Sequence, residues 1–340
     1  MPVPEQPPFL TAARSRRHCL RTDGEPVPFP APDHRGRHRA SAGRSGDFHA
    51  PPCPVRRERR AEGPPRRPLS EQALLIDSLG LDLLTVQDHP YQAAFDDTWT
   101  LLTFLAARTR HVTLVPTVSS LPLRPPAVLA KAVATLDRLT GSRVQLGLGA
   151  GAFWEAIEAM GGSRRTPKEA VDAVDEAITV IRAMWSGERS VRTHGTHYSL
   201  AGVHPGPAPA PGLGLWLGSY GPRMLALTGA KADGWLPSHA YLGLDALPTA
   251  VRRIDDAALA AGRDPDTIRR VYNIAGVIQP ESAGPFQGPA VQWTEHLVTL
   301  VRTVGMNGFV IWPERDHGQQ IRAFAAEVVP AVREALARKT

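Results

Sequence analysis

The chain has 340 residues, 42% of them hydrophobic, with a formal net charge of +6 and two cysteines. That length suffices for one large barrel or two ordinary domains, and no run approaches the roughly 18 uncharged apolar residues of a membrane span. Residues 1–10 hold four prolines and lack the basic start and apolar core of a secretion signal; with Cys19 and Cys53 both ahead of residue 68, neither a disulfide framework nor a cysteine metal site is expected, and the location expected is cytoplasmic.

In chain order, residues 1–67 come first. They contain fourteen Arg, no Lys and seven acidic residues, a balance of +7, which leaves 25 basic and 26 acidic residues, or −1, for the remainder. Rich in Pro, Arg, Gly and His, and without helical or strand period, this segment cannot bury enough apolar surface to offset chain entropy and reads as disordered. A basic arm could bind nucleic acid or an anionic membrane. It lacks interleaved aromatics, heptads and an amphipathic period, so neither partner is expected.

From residue 68 to 340 the texture is that of one folded domain. Residues 69–79 form a helical pattern that Gly80 stops. Leu83–Val86 is a short apolar strand that ends in Gln87-Asp88-His89 and is closed by Pro90. Residues 97–108 read as a helix, 112–118 as a β-branched strand, 126–139 as a helix with Pro in its first turn, and 144–148 as a strand entering Gly149-Ala150-Gly151. Thr166-Pro167-Lys168-Glu169 is a capping box that opens a helix to about Trp185. Residues 191–200 alternate around Gly195 as a hairpin excursion. Strands are then expected at 215–217, 235–236, 270–278 and 309–312, with helices from Pro222 and at 244–261, 290–304 and 319–337. This alternation predicts βαβ units and a parallel sheet. Seven such strands lie in about 270 residues, one short of the eight that close a TIM barrel. The first strand, which would precede residue 69, is not recognisable.

Four stretches carry chemical promise. An acid and an imidazole, Asp88 and His89, fall at the carboxyl end of a buried strand, the edge on which α/β folds place their chemistry; a local turn is the plain alternative. The glycine turn at 147–151 lets backbone approach an anion or a flat ring. It reads G-x-G-x-G, a poor match to a dinucleotide fingerprint, and a ligand-free tight turn explains it equally well. Ser219, Tyr220, Gly221, Pro222, Arg223 and Met224 form a strand-to-helix turn whose free N–H groups and nearby Arg suit phosphate. The proline-rich run from Val115 to Pro126 is either a rigid connector or a shaped wall under a bound ring. Trp154, Tyr220, Trp235 and His239 are candidates for an apolar pocket. No serine–histidine–acid triad, P-loop or metal-spaced His cluster is evident, so no metal is expected.

In order, the motifs Gly80-Leu-Asp-Leu-Leu-Thr-Val-Gln-Asp-His-Pro90, Leu121-Pro-Leu-Arg-Pro-Pro-Ala-Val-Leu-Ala130, Leu146-Gly-Leu-Gly-Ala-Gly151, Gly218-Ser-Tyr-Gly-Pro-Arg223 and Ala232-Asp-Gly-Trp235 resemble the luciferase-like monooxygenase superfamily. They are most similar to its actinobacterial oxidoreductases that use FMN or the deazaflavin coenzyme F-420. The resemblance spans about residues 69–338. It implies an α/β fold, a TIM (β/α)8-type barrel with an insertion hairpin. It places His89 near the reactive face of the coenzyme ring with Asp88 before it. Pro116, Thr117, Val118 and Ser119 match a bulge, often with a non-prolyl cis peptide, that backs the ring. Gly149, Ala150 and Gly151 match the coenzyme-contacting turn, and Ser219 to Met224 the phosphate loop.

The expected activity is hydride transfer between coenzyme F-420 and a small organic substrate; an FMNH2-dependent monooxygenase and an inactive barrel lacking its first strand are the alternatives. A homodimer is an assembly the resemblance allows. Two departures stand out. Ala152 occupies the place where the family's sugar-phosphate dehydrogenases carry a proton-donating Glu. The family's first strand is also missing from residues 1–67, as a misplaced start or shifted reading frame would produce.

Overall fold

The structure, a computed structural model, describes residues 69–338. The expectations for residues 1–67, including Cys19, Cys53 and the first strand, lie outside the described residues. Within them seven strands run parallel in the order β1 (Leu83–Val86), β2 (Thr113–Pro116), β4 (Leu146–Gly149), β7 (Leu215–Gly218), β8 (Gly234–Trp235), β9 (Arg269–Ile278) and β11 (Gly308–Pro313). A parallel bridge from Leu114 to Val144 joins β2 to β4. Helices separate consecutive strands, which is the TIM-type barrel arrangement, with β1 and β11 as the two ends of the described sheet.

The strands form where expected because each is a largely buried, mostly apolar run of two to ten residues. The hairpin also forms, as β5 (Val191–Thr193) against β6 (Leu200–Val203), antiparallel. The Glu176 carboxylate pins its turn by accepting the backbone N–H groups of Thr196, His197 and Tyr198. Glu176 belongs to α5 (Pro167–Trp185), which begins with the full capping box of Thr166 and Glu169.

Five helices have simple physical causes. Helix α1 (Leu69–Ser78) buries Ala73 and Ile76, and its Asp77 receives the N–H groups of Arg110, His111 and Val112 at the entry to β2. Helix α2 (Thr98–Ala106) is capped by Asp97, whose carboxylate accepts the Thr100 N–H. Helix α3 (Pro126–Thr140) starts on Pro and ends at Gly141 with φ 66°, a left-handed stop that glycine adopts without cost. Helices α6 (Pro222–Lys231) and α7 (Leu247–Ala260) pack backbone to backbone at Gly229, where a Cβ would lie 2.1 Å from the Ile254 carbonyl oxygen.

The strand read over 112–118 is divided. β2 stops at Pro116, the chain turns through Thr117–Val118, and Ser119–Ser120 resumes as β3 against β4. The short helix α4 (Trp154–Ala159) and the two-residue β10 (Gln287–Gly288) were not expected. Helix α8 (Ala290–Thr299) and the last pair, α9 (His317–Ala323) and α10 (Val329–Ala337), continue through wider π-turns at Leu300–Val304 and Phe324–Val328.

Candidate active site

A pocket opens at the carboxyl ends of the strands. Gln87 and His89 follow β1, Thr117 follows β2, Phe153 follows β4, and Ser238 and Tyr241 follow β8; Asn273 and Ala275 come from β9 and Trp312 from β11. This is the edge on which the sequence placed Asp88 and His89, but the two residues part company there. Neighbours in an extended segment face opposite ways. His89 faces the pocket, while the fully buried Asp88 carboxylate points behind it. Asp88 accepts two bonds from Arg124, from Nε at 2.6 Å and Nη2 at 2.7 Å, and a third from the Ser120 N–H at 2.9 Å. Arg124 also holds Asp97 at 2.7 Å. Asp88 therefore makes no hydrogen bond to the His89 ring and acts on it through its charge alone, while its carboxylate ties the loop after β1 to the loop before α3.

The partner of His89 is Tyr91, whose hydroxyl lies 2.8 Å from Nδ1. A tyrosine hydroxyl donates or accepts, so Nε2 can face a ligand as acceptor or donor without moving. Phe95 and Phe153 stand edge-on to the imidazole at 5.5 and 5.8 Å between ring centres. Burial among these rings holds the His89 pKa below its ordinary value, partly offset by the negative charge of Asp88. Burial likewise pushes the Tyr91 hydroxyl up, so it keeps its proton.

Under the pocket lies the bulge. The Thr117–Val118 peptide is cis, with no proline involved. Val118 is wedged between two strands: a Cβ on Gly149 would lie 2.5 Å from Val118 Cγ2, and one on Gly218 would lie 3.1 Å from the same atom. Gly149 thus makes room for the bulge, a use of glycine the sequence reading assigned to the ligand. Gly151 has φ +97°, and a side chain there would meet Pro122 and Trp154; Ala150 packs against the core. The Gly149→Ala protein is expected to fold with its bulge displaced and to bind coenzyme at least tenfold more weakly, about 1.4 kcal/mol. Unaltered affinity in a coenzyme titration would show that the bulge is not part of the binding surface.

The turn before α6 keeps part of its expected role. Gly221 caps the helix without a side-chain bond, so the first-turn N–H groups are free of any capping side chain. The side chains are otherwise engaged. The buried Ser219 hydroxyl shares a hydrogen bond with Thr228 at 2.8 Å, Arg223 pairs with Asp172 at 2.7 Å on the surface, and Met224 is buried. The Tyr220 hydroxyl accepts the Ser238 N–H, and its ring stands 5.6 Å from Tyr241. Of the four aromatic candidates, Trp235 is core, donating to the Ser219 carbonyl. His239 packs on Tyr272 and Phe286 behind the pocket, Trp154 sits against the glycine turn, and Tyr220 backs Tyr241. The residues that do line the pocket, Asn273, Ala275 and Trp312 among them, were missed. One signal was available: Asn273 is the single amide in β9, within the run 271–278 whose other residues are apolar or aromatic.

Three buried polar atoms on the lining residues lack a protein partner: Thr117 Oγ1, Asn273 Oδ1 and Trp312 Nε1. Buried polar groups are rarely left so unless something else satisfies them.

Parallel strands ending around one pocket, with a bulge seated on two glycines beside it, define a TIM-type barrel whose candidate site lies at the carboxyl edge of the strands. Residues 48–283 match the model of the luciferase-like monooxygenase family, and the chain belongs to that family. It is 32% identical over 220 residues to an F420-dependent glucose-6-phosphate dehydrogenase of Nocardia farcinica, covering 61% of this chain and 64% of that one. The chain thus spans less than two thirds of that relative. Its fold is that of an F420-dependent secondary alcohol dehydrogenase solved with an F420–acetone adduct (TM-score 0.69, 20% identity, 77% of this chain and 94% of that one). It is likewise that of the FMN-bound oxygenating constituent of 3,6-diketocamphane monooxygenase from Pseudomonas putida (TM-score 0.61, 18% identity, 77% and 92%). Among the described residues no helix is long and apolar enough to cross a membrane.

Proposed function

We propose that this protein is a deazaflavin-dependent oxidoreductase that moves a hydride between coenzyme F-420 and a small organic substrate. The observation that carries this reading is the bulge at Thr117–Val118, seated on Gly149 and Gly218 beneath a pocket that His89 also lines. The residues present fit such a coenzyme: Thr117 offers an unpaired hydroxyl beside the bulge, and α6 offers its first-turn N–H groups to a phosphate. When bound, the coenzyme ring supplies the hydride chemistry. Pro116 to Ser119 would back the ring, Gly149 and Gly218 would keep that bulge in place, and the aromatic side chains of the pocket would exclude water. His89 holds or moves a proton at Nε2. Proton transfer of that kind is a common contribution of a positioned imidazole.

Titration of the protein with F-420 and with FMN, followed by coenzyme fluorescence, tests the proposal. Saturable F-420 binding is expected. Binding of FMN alone would replace the reading by a flavin monooxygenase, and binding of neither would overturn it.

A further inference from the structure

We infer that the substrate received in this pocket is an uncharged, ring-bearing alcohol or carbonyl compound and not a phosphorylated sugar. The inference rests on the reading above, in which the coenzyme ring lies against the bulge.

The lining is aromatic and neutral. Phe95, Phe153, Tyr241 and Trp312 supply ring faces and edges, and Ala240 and Ala275 keep the space between them open. Among the described residues no Asp, Glu, Lys or Arg lines the pocket. None of the arginines in the loops at this edge enters the lining: Arg124 pairs with Asp88 and Asp97, Arg223 with Asp172, Arg315 bonds Gln279, and Arg165 lies on Tyr198 with its Nη1 unpaired away from the lining residues. A phosphate brought into such a lining would lose its water without gaining a cation, which disfavours its binding.

The lining is also specific in its polarity. Asn273 is nearly fully buried, and its Nδ2 donates to the Pro237 carbonyl at 3.0 Å. That bond fixes the amide orientation and leaves Oδ1 as an unpaired acceptor. On the neighbouring strand Trp312 is 9% exposed, and its Nε1–H is an unpaired donor. Trp312 is in register with Ala275, and Asn273 lies two residues back along β9, on the same face. One donor and one acceptor on adjacent strands are the pair that a single hydroxyl satisfies in full; a carbonyl satisfies the donor. Leaving either group unpaired is costly, and a neutral oxygen function recovers that cost. Both groups stand on β9 and β11 and line the same pocket as Thr117 of the bulge after β2; in this reading the bulge takes the coenzyme ring and the pair takes the substrate.

The full-length protein is titrated calorimetrically with acetophenone, 1-phenylethanol and glucose 6-phosphate, each with and without F-420, and coenzyme binding is titrated separately. The two neutral compounds are expected to saturate the site with affinities indifferent to ionic strength, and glucose 6-phosphate is expected not to. Trp312→Phe should weaken both neutral ligands roughly tenfold, within the range for one lost hydrogen bond, and leave F-420 affinity unchanged. Glucose 6-phosphate binding as tightly as the neutral compounds overturns the inference. So does failure of the neutral compounds to bind a protein that binds F-420. A Trp312→Phe protein that loses F-420 and keeps acetophenone assigns the indole N–H to the coenzyme, with the same consequence. Failure of F-420 to bind the wild-type protein counts against the coenzyme reading alone and is seen in its own titration.

Discussion

Replacing His89 by alanine is expected to lower turnover by roughly 10²–10⁴-fold, the range of a general acid–base group, with the protein folded and the coenzyme bound. The imidazole faces the pocket, is steadied by Tyr91 and three ring contacts, and keeps Nε2 without a protein partner among the described residues. Its pKa is lowered by burial, so the neutral form persists to pH values below the ordinary 6.5. Where the neutral form is the active one, kcat/KM falls only as pH drops below about 6.5, and His89→Ala removes that acid limb along with the rate. The stability linkage has the same sign. Protonation is disfavoured in the folded state, so the contribution of this group is complete above 6.5 and is lost as pH falls through the depressed pKa. A purely structural histidine would show instead as a lower melting temperature or reduced coenzyme occupancy, with turnover per bound coenzyme near normal. That result would remove His89 from the chemistry.

The largest stability effect is expected at Arg124. Its guanidinium grips the fully buried Asp88 with two bonds and reaches Asp97 with a third contact. Arg124→Ala leaves a buried carboxylate with one backbone N–H for company, and breaking a buried pair in this way costs about 3–5 kcal/mol. For a domain of this size that lowers the melting temperature on the order of 10 °C. Made in an Asp88→Asn background, the same substitution should cost much less, because no charge is then stranded. Equal losses in both backgrounds, measured by thermal unfolding, would show that Arg124 stabilises through packing and not through Asp88.

Much of the barrel could be read from the chain because its strands are short apolar runs bounded by Gly and Pro, and its helices carry their own signals. Thr166-x-x-Glu169 and Gly141 are examples in which a local rule and the fold agree. What could not be read depends on neighbours distant in sequence. The two residues of β3 are a strand only because β4 lies beside them, and the six residues of α4 have no side-chain cap to announce them. At the site, adjacency misled: Asp88 and His89 are consecutive, and extended backbone sends consecutive side chains apart. His89 was found by its strand end. Asn273 and Trp312 were not, since a single amide or indole in a buried strand is more often core than ligand-binding, and only the register of β9 with β11 shows that the two share a face. Arg223 drew attention as a phosphate ligand from its place in a turn; the acid it meets, Asp172, lies 51 residues away on α5.

The wedge formed by Val118 between Gly149 and Gly218 has an evolutionary reading. The bulge and two strands supply one residue each to a space that holds a single branched side chain, so these positions are not free to vary independently. A methyl group gained at 149 or 218 requires one lost at 118. In relatives that keep the bulge, drift at these three sites should be concerted: lineages with alanine in place of either glycine should carry a smaller residue opposite it, and those with a larger residue at the bulge should retain both glycines.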